Sequence, residues 1–154
     1  MDLSDLISLE GINPSLKAKS KKHVLQQLSS EAAQITGVPE RDIFDVLLQR
    51  ERLGSTGVGQ GIAIPHGKLN GLDKMIGLFA HLEQPINFEA VDSEPVDLVF
   101  LLLAPESAGA DHLKALARIS RFLRMPLAVE NLRSASTDEM VYAVLTESEK
   151  EHAA

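Results

Sequence analysis

The sequence contains no cysteine, which excludes disulfides, a thiol nucleophile and every cysteine-ligated zinc or iron–sulfur centre. Long apolar stretches are missing as well. The longest uninterrupted run, Leu98 to Ala104, is far short of the roughly 20 residues needed to span a bilayer as a helix. The opening MDLSDLISLE is acidic, unlike the basic and then apolar pattern of a secretory signal, so a cytoplasmic protein without membrane insertion is expected. Positive charge is in deficit: 15 Lys plus Arg face 22 Asp plus Glu, a formal net charge of −7. That balance repels nucleic-acid phosphates, and the one basic cluster, Lys17, Lys19, Lys21 and Lys22, lies at a helix start. No repeat and no Pro/Gly/Ser linker divides the 154 residues, so the expected organisation is one domain over 1–154 with a polar tail from about Thr146. Five histidines are present without an HExxH-like cluster, and neither a metal nor a cofactor is expected.

What the sequence does hold is periodicity. Ile12 to Leu16 reads as a short extended piece. From Ser20 to Thr36, Val24, Leu25, Leu28, Ala32 and Ile35 recur at helical spacing, and Gly37 stands where a C-cap belongs. A second helix opens with Pro39 in its first turn and runs to about Leu53, where Gly54 stops it. Three strands are then expected: Ile62 to Ile64, Met75 to Leu82, and Val96 to Leu103, the last so apolar that both its faces must be covered. Helical spacing returns from Asp111 through Leu123, with a short helix after Pro126 and a last one over about Thr137 to Glu147. The predicted order is strand, two helices, three strands, three helices. A sheet covered on both faces makes a three-layer α/β/α sandwich. Met75–Leu82 and Val96–Leu103 can be joined without a helix, so the sheet is expected to be mixed.

The segment Gly54-Ser55-Thr56-Gly57-Val58-Gly59-Gln60-Gly61-Ile62-Ala63-Ile64-Pro65-His66-Gly67-Lys68 places four glycines in eight residues. A tight mobile connector is one reading. The other is an anion cradle, in which the backbone N–H groups of Gly57, Gly59 and Gly61 approach a phosphate and Ser55 and Thr56 add hydroxyl donors. Neither standard cradle fits. Gly61 and Gly67 enclose five residues where a Walker A loop needs four, and Lys68 is followed by Leu69. The dinucleotide fingerprint lacks its last glycine and would follow a helix rather than a strand. His66 is fixed by Pro65 before it and left open by Gly67 after it. An imidazole near neutral pH is both a nucleophile and a good leaving group, which suits a phosphoryl relay.

The run GSTGVGQGIAIPHGK resembles the phospho-acceptor region of the IIA components of the phosphoenolpyruvate-dependent phosphotransferase system, of the mannitol/fructose type, and most closely its nitrogen-regulatory branch. Weaker resemblance extends through LLQRE, INFEAVDSEPVDLVFLLLAP and the DHL of the later helix. It implies that His66 takes a phosphoryl group from a histidine-containing phosphocarrier protein. It further implies the three-layer fold and regulatory targets such as a potassium transporter or a sensor kinase. The alternative function within the same resemblance is a stand-alone fructose- or mannitol-type component that passes the phosphoryl group to a IIB domain for sugar uptake.

Two more residues can be placed by helical geometry, at about 100° per residue. Arg50 falls on the side of Ile43, Val46 and Leu47, whereas Arg52 falls opposite with Arg41 and Asp45. Arg50 could reach phosphoryl oxygens at the loop, or could snorkel to Glu51 or a carbonyl; the family's Arg-Glu pair lies at this position. His112 is expected in the first turn of a helix capped by Asp111, on the side of Leu113 and Leu116, where the positive helix end favours a neutral imidazole. The resemblance implies an assisting histidine here. His23, His81 and His152 are expected to be ordinary surface residues. The glycine loop, Val58, Ile62 and the His66 ring are expected to form a docking patch with little charge.

Overall fold

A computed structural model describes residues 2–153, and the side chains of 2–146. The elements follow as β1 (Ile7–Leu16), α1 (Lys21–Thr36), α2 (Glu40–Arg52), β2 (Gly57–Gly59), β3 (Ile62–Ala63), β4 (His66–Leu69), β5 (Ile76–Ile86), β6 (Val96–Pro105), α3 (Ala110–Phe122), α4 (Pro126–Ser134) and α5 (Asp138–Ala153). Helix α1 is bounded as its end residues dictate: the Ser20 hydroxyl accepts the His23 N–H at 3.1 Å, and Gly37 ends the helix at φ 79°.

The sheet runs β1-β5-β6-β3-β2, with β4 also on β6. It is mixed: β5 and β6 are antiparallel neighbours, while β1 on β5 and both β3 and β4 on β6 are parallel. Strand β6 alternates between two cores. Val99, Leu101 and Leu103 pack with Leu25, Leu28, Ile43 and Leu47 of α1 and α2. Leu98, Phe100 and Leu102 pack with Ile119, Phe122, Leu132 and Val141 of α3, α4 and α5. The expected three-layer α/β/α arrangement is therefore the one observed.

Four sequence expectations are corrected. Five strands follow α2 instead of three, because β2 and β4 are too short and too glycine-rich to show a period. Strand β1 begins at Ile7 rather than Ile12, and β5 pairs along its extra length. Helix α5 continues to Ala153, past the predicted end at Glu147. Helix α3 is preceded by Gly109 with no side-chain cap, so Asp111 lies inside its first turn instead of capping it.

Strands β3 and β4 are one line broken at Ile64-Pro65. Proline has no N–H to give a ladder, yet its carbonyl still accepts the Leu102 N–H at 3.0 Å, and pairing resumes with His66 beside Leu102. Helix α2 lies flush against the restart, since a Cβ added to Gly67 would collide with Val46 of α2. The two elements meet only because position 67 has no side chain. Gly67→Ala is expected to destabilise the fold by about 1–3 kcal/mol through overpacking, and Val46→Ala in the same chain to recover most of it. Urea unfolding of the single and double variants measures both values; an unperturbed single variant would show that α2 does not set this spacing.

Candidate functional site

The site is built where that restart meets both helical layers. His66 Nδ1 lies 2.8 Å from the Ile64 carbonyl. A carbonyl only accepts, so Nδ1 carries the hydrogen and Nε2 keeps its lone pair. The Arg50 Nε–H donates to that lone pair at 3.3 Å, and Arg50 Nη1 donates to the Gly54 carbonyl at 2.9 Å. Of the alternatives left open by the sequence, the carbonyl contact is the one made, and the guanidinium also donates to His66. Glu51 is not its partner.

The His66 pKa is held below the ordinary imidazole value chiefly by burial, with Arg50 adding to the effect; the Ile64 hydrogen bond and the Glu51 charge oppose it. His112 stands on the other side, its ring centroid 5.6 Å from that of His66 and tilted by 52°. Its pKa is lowered too, first by burial and then by His66 and Lys68. His112 Nε2 is the one buried side-chain nitrogen or oxygen without a hydrogen-bond partner among the described residues. The first N–H groups of a helix lack intrahelical acceptors, and those of α3 have no side-chain cap. One imidazole lone pair, one guanidinium and an unpaired ring nitrogen can together receive a small anion.

The glycine loop is organised differently from the expected cradle. The Ser55 hydroxyl donates to the Phe88 carbonyl at 2.7 Å and accepts the Gly57 N–H at 3.0 Å. Thr56 is buried, its hydroxyl donating to Glu51 and its N–H donating to Glu51 Oε1 at 3.0 Å. Gly57 and Gly59 belong to the β2–β3 hairpin. Gly59 and Gly61, at φ 106° and 82°, flank a turn at Gln60 whose N–H is held by Asp92 and whose carbonyl is held by Arg133. Arg133 is in turn fixed on Asp97 by two bonds of 2.9 and 2.8 Å. The glycines are thus required by a tight hairpin, and the structure gives Ser55, Thr56 and Gly57 hydrogen-bond partners other than an anion.

Sequence reasoning named Glu51 only as a candidate partner of Arg50 and gave Lys68 no role in the site. The signal for Glu51 was present: a carboxylate one turn after buried Leu47 lies on the apolar side of α2. The docking patch is also corrected. Ile62 is buried, while Leu53, two residues after Glu51, and Leu113, next to His112, are 85% and 67% exposed; Val58 is exposed as expected. Of the three histidines read as surface residues, His23 takes part in the first turn of α1, His81 lies 3.6 Å from Asp97, and the side chain of His152 is outside the described residues.

Residues 5–148 match the family model described as phosphoenolpyruvate-dependent sugar phosphotransferase system, EIIA 2. A nitrogen regulatory protein of Bradyrhizobium diazoefficiens is 58% identical over 94% of this chain and 95% of its own. A fructose-specific EIIA component of Haloferax volcanii is 36% identical over 95% and 96%. The crystal structure of nitrogen regulatory protein IIA-Ntr from Neisseria meningitidis superposes with a TM-score of 0.89 at 35% identity, covering 94% of this chain and 99% of that one.

Both imidazoles are expected to titrate with midpoints below 6.5, and Arg50→Met is expected to raise that of His66 by removing a positive neighbour. The neutral Nε2 lone pair then persists through neutral pH and is lost only as pH falls through the lowered midpoint. Nitrogen-detected NMR titration reads the midpoints and the Nδ1–H tautomer together. A His66 midpoint at or above 6.5 would contradict the placement.

Proposed function

The chain belongs to the EIIA 2 family of the phosphoenolpyruvate-dependent phosphotransferase system, and from that premise we propose that His66 Nε2 is its phosphoryl acceptor. The observation that carries the reading is the fixed tautomer of His66, with Nδ1 spent on Ile64 and Nε2 facing Arg50. The Nε2 lone pair attacks phosphorus in line, the N–P bond of a phosphohistidine on a phosphocarrier breaks, and its electron pair returns to the carrier's imidazole. Arg50 moves from the lone pair to the phosphoryl oxygens, where a fork of donors meets the spreading charge. The unpaired His112 Nε2 supplies a further ring contact. Glu51, held by Lys21 and Thr56, is committed elsewhere and does not serve as a base for water.

The role is regulatory on this reading. The nitrogen regulatory relative stands at 58% identity against 36% for the fructose-specific one, over nearly the same extent. Targets such as a potassium transporter or a sensor kinase would meet the exposed Leu53 and Leu113 beside the site, and a phosphoryl group bringing about 1.5–2 negative charges would oppose an apolar contact there. Passage of the group to a IIB domain for sugar uptake is the competing function.

With phosphoenolpyruvate, the first enzyme of the system and the phosphocarrier, the protein is expected to gain one phosphoryl group, labile to acid and stable to alkali. His66→Ala abolishes it. Arg50→Ala slows it about 10²–10³-fold, the usual loss for one charge-stabilising donor, and Arg52→Ala does not. His112→Ala changes the rate of gain or the lifetime of the modified protein. Full labelling of folded His66→Ala ends the acceptor assignment. Calorimetric titration of a candidate target with both forms tests regulation: weaker binding of the phosphorylated form supports it, and equal affinities across candidates favour a plain relay.

A further inference from the structure

Beneath the site, Glu51 is a buried carboxylate with its side chain 3% exposed. Its Oε1 accepts from Lys21 Nζ at 2.9 Å and from the Thr56 N–H at 3.0 Å, and its Oε2 accepts from the Thr56 hydroxyl. Lys21 comes from the first turn of α1, a different element, and is held there by the Phe88 ring at 4.9 Å and by Glu89 at 3.6 Å. A buried carboxylate left without a cation is costly and draws any mobile cation within reach. Arg50 is the adjacent residue, its side chain is long, and both groups bear electrostatically on His66. Yet Arg50 turns away from Glu51 to His66 Nε2 and the Gly54 carbonyl.

We infer that Lys21 is a positioning residue for phosphoryl transfer: by neutralising Glu51 it leaves Arg50 free to face His66. The inference rests on the reading of His66 as acceptor and adds a residue from α1 that touches neither the imidazole nor the incoming group. Glu51 has a second part in the same arrangement. By holding both polar groups of Thr56 it fixes the turn that presents the Gly54 carbonyl to Arg50 Nη1, so one carboxylate sets the loop while its lysine keeps it from capturing the arginine. A purely structural ion pair would predict loss of stability when broken, with no selective effect on the neighbour of His66.

Three variants separate these accounts. Lys21→Met keeps the stem over Phe88 and removes the charge. Arg50 is then drawn to Glu51, transfer to His66 falls roughly 10²-fold, the size of an approximately 1 Å misplacement, and the NMR titration midpoint of His66 rises. Adding Glu51→Gln removes the competing carboxylate and any buried unpaired charge, and should restore most of the rate and bring the midpoint back down although the ion pair is still absent. Lys21→Arg, which can still neutralise Glu51, should stay near the parent in both. A folded Lys21→Met variant with unchanged rate and midpoint overturns the inference, as does a double variant no faster than Lys21→Met. Should the parent protein itself accept no phosphoryl group, the acceptor reading falls, and the placement of Arg50 is read instead from the NMR shift of its Nε–H, which donates to His66 in the parent, moves in Lys21→Met and returns in the double variant; an Nε–H signal unchanged in Lys21→Met overturns the inference.

Discussion

The hydrogen bond from His66 Nδ1 to the Ile64 carbonyl, at 2.8 Å, is the contact on which the site depends. It spans a single residue, Pro65, so it requires a chain that turns out of one strand and into another within three residues. Proline supplies a fixed φ and lacks the N–H that a continuous ladder would have used. The broken line of β3 and β4 along β6 is thereby tied to the chemistry of the ring. With Nδ1 protonated and held, the free lone pair can only be on Nε2, and burial keeps it unprotonated near neutral pH.

The ring is approached from both helical layers. Arg50 comes from the C-terminal turn of α2, brought close because Gly67 admits Val46, and His112 comes from the first turn of α3. The two helices pack on opposite faces of β6, against alternating residues of a strand that is apolar from Leu98 to its end. Their separation across His66 therefore follows from sheet thickness rather than from a mobile loop. Histidine and arginine placed by rigid layers need little reorganisation when charge develops between them.

This explains which parts were legible in the sequence. Helices α1 and α2 announce themselves by period and by Gly37 and Pro39, although Pro39 stands just before α2 at ψ 135° instead of in its first turn, and the apolar run of β6 announces a sheet covered on two faces. Arg50 was legible because an arginine on the side of Ile43 and Leu47 has no reason to be there if it is merely solvated. Strand β3 was read, but its hairpin partner β2 was not, since three residues carry no period and the hairpin's glycines mimic an anion cradle. What distinguishes the two is long-range: Asp92 and Arg133, far along the chain, hold the Gln60 turn. Asp111 looked like a cap for a local reason that tertiary structure overrode, the chain entering α3 through Gly109 at φ 58° instead.

On the proposed reading, charge suits a site that stores a phosphoryl group instead of hydrolysing it. Two unit charges about 4 Å apart interact by roughly 4 kcal/mol at an effective dielectric near 20, so Arg50, which donates to His66, can offset part of the cost of placing a dianionic group in a half-buried position. Hydrolysis would need a base aimed at water beside phosphorus. The carboxylate that bears on His66, Glu51, has one oxygen on Lys21 and the Thr56 N–H and the other on the Thr56 hydroxyl. His112, whose pKa is itself held down, has a better claim to a phosphoryl oxygen than to a proton, because its unpaired Nε2 gains the partner that burial denies it. On the proposed reading the same features that admit the group protect it, and its departure waits on an acceptor that brings its own nucleophile.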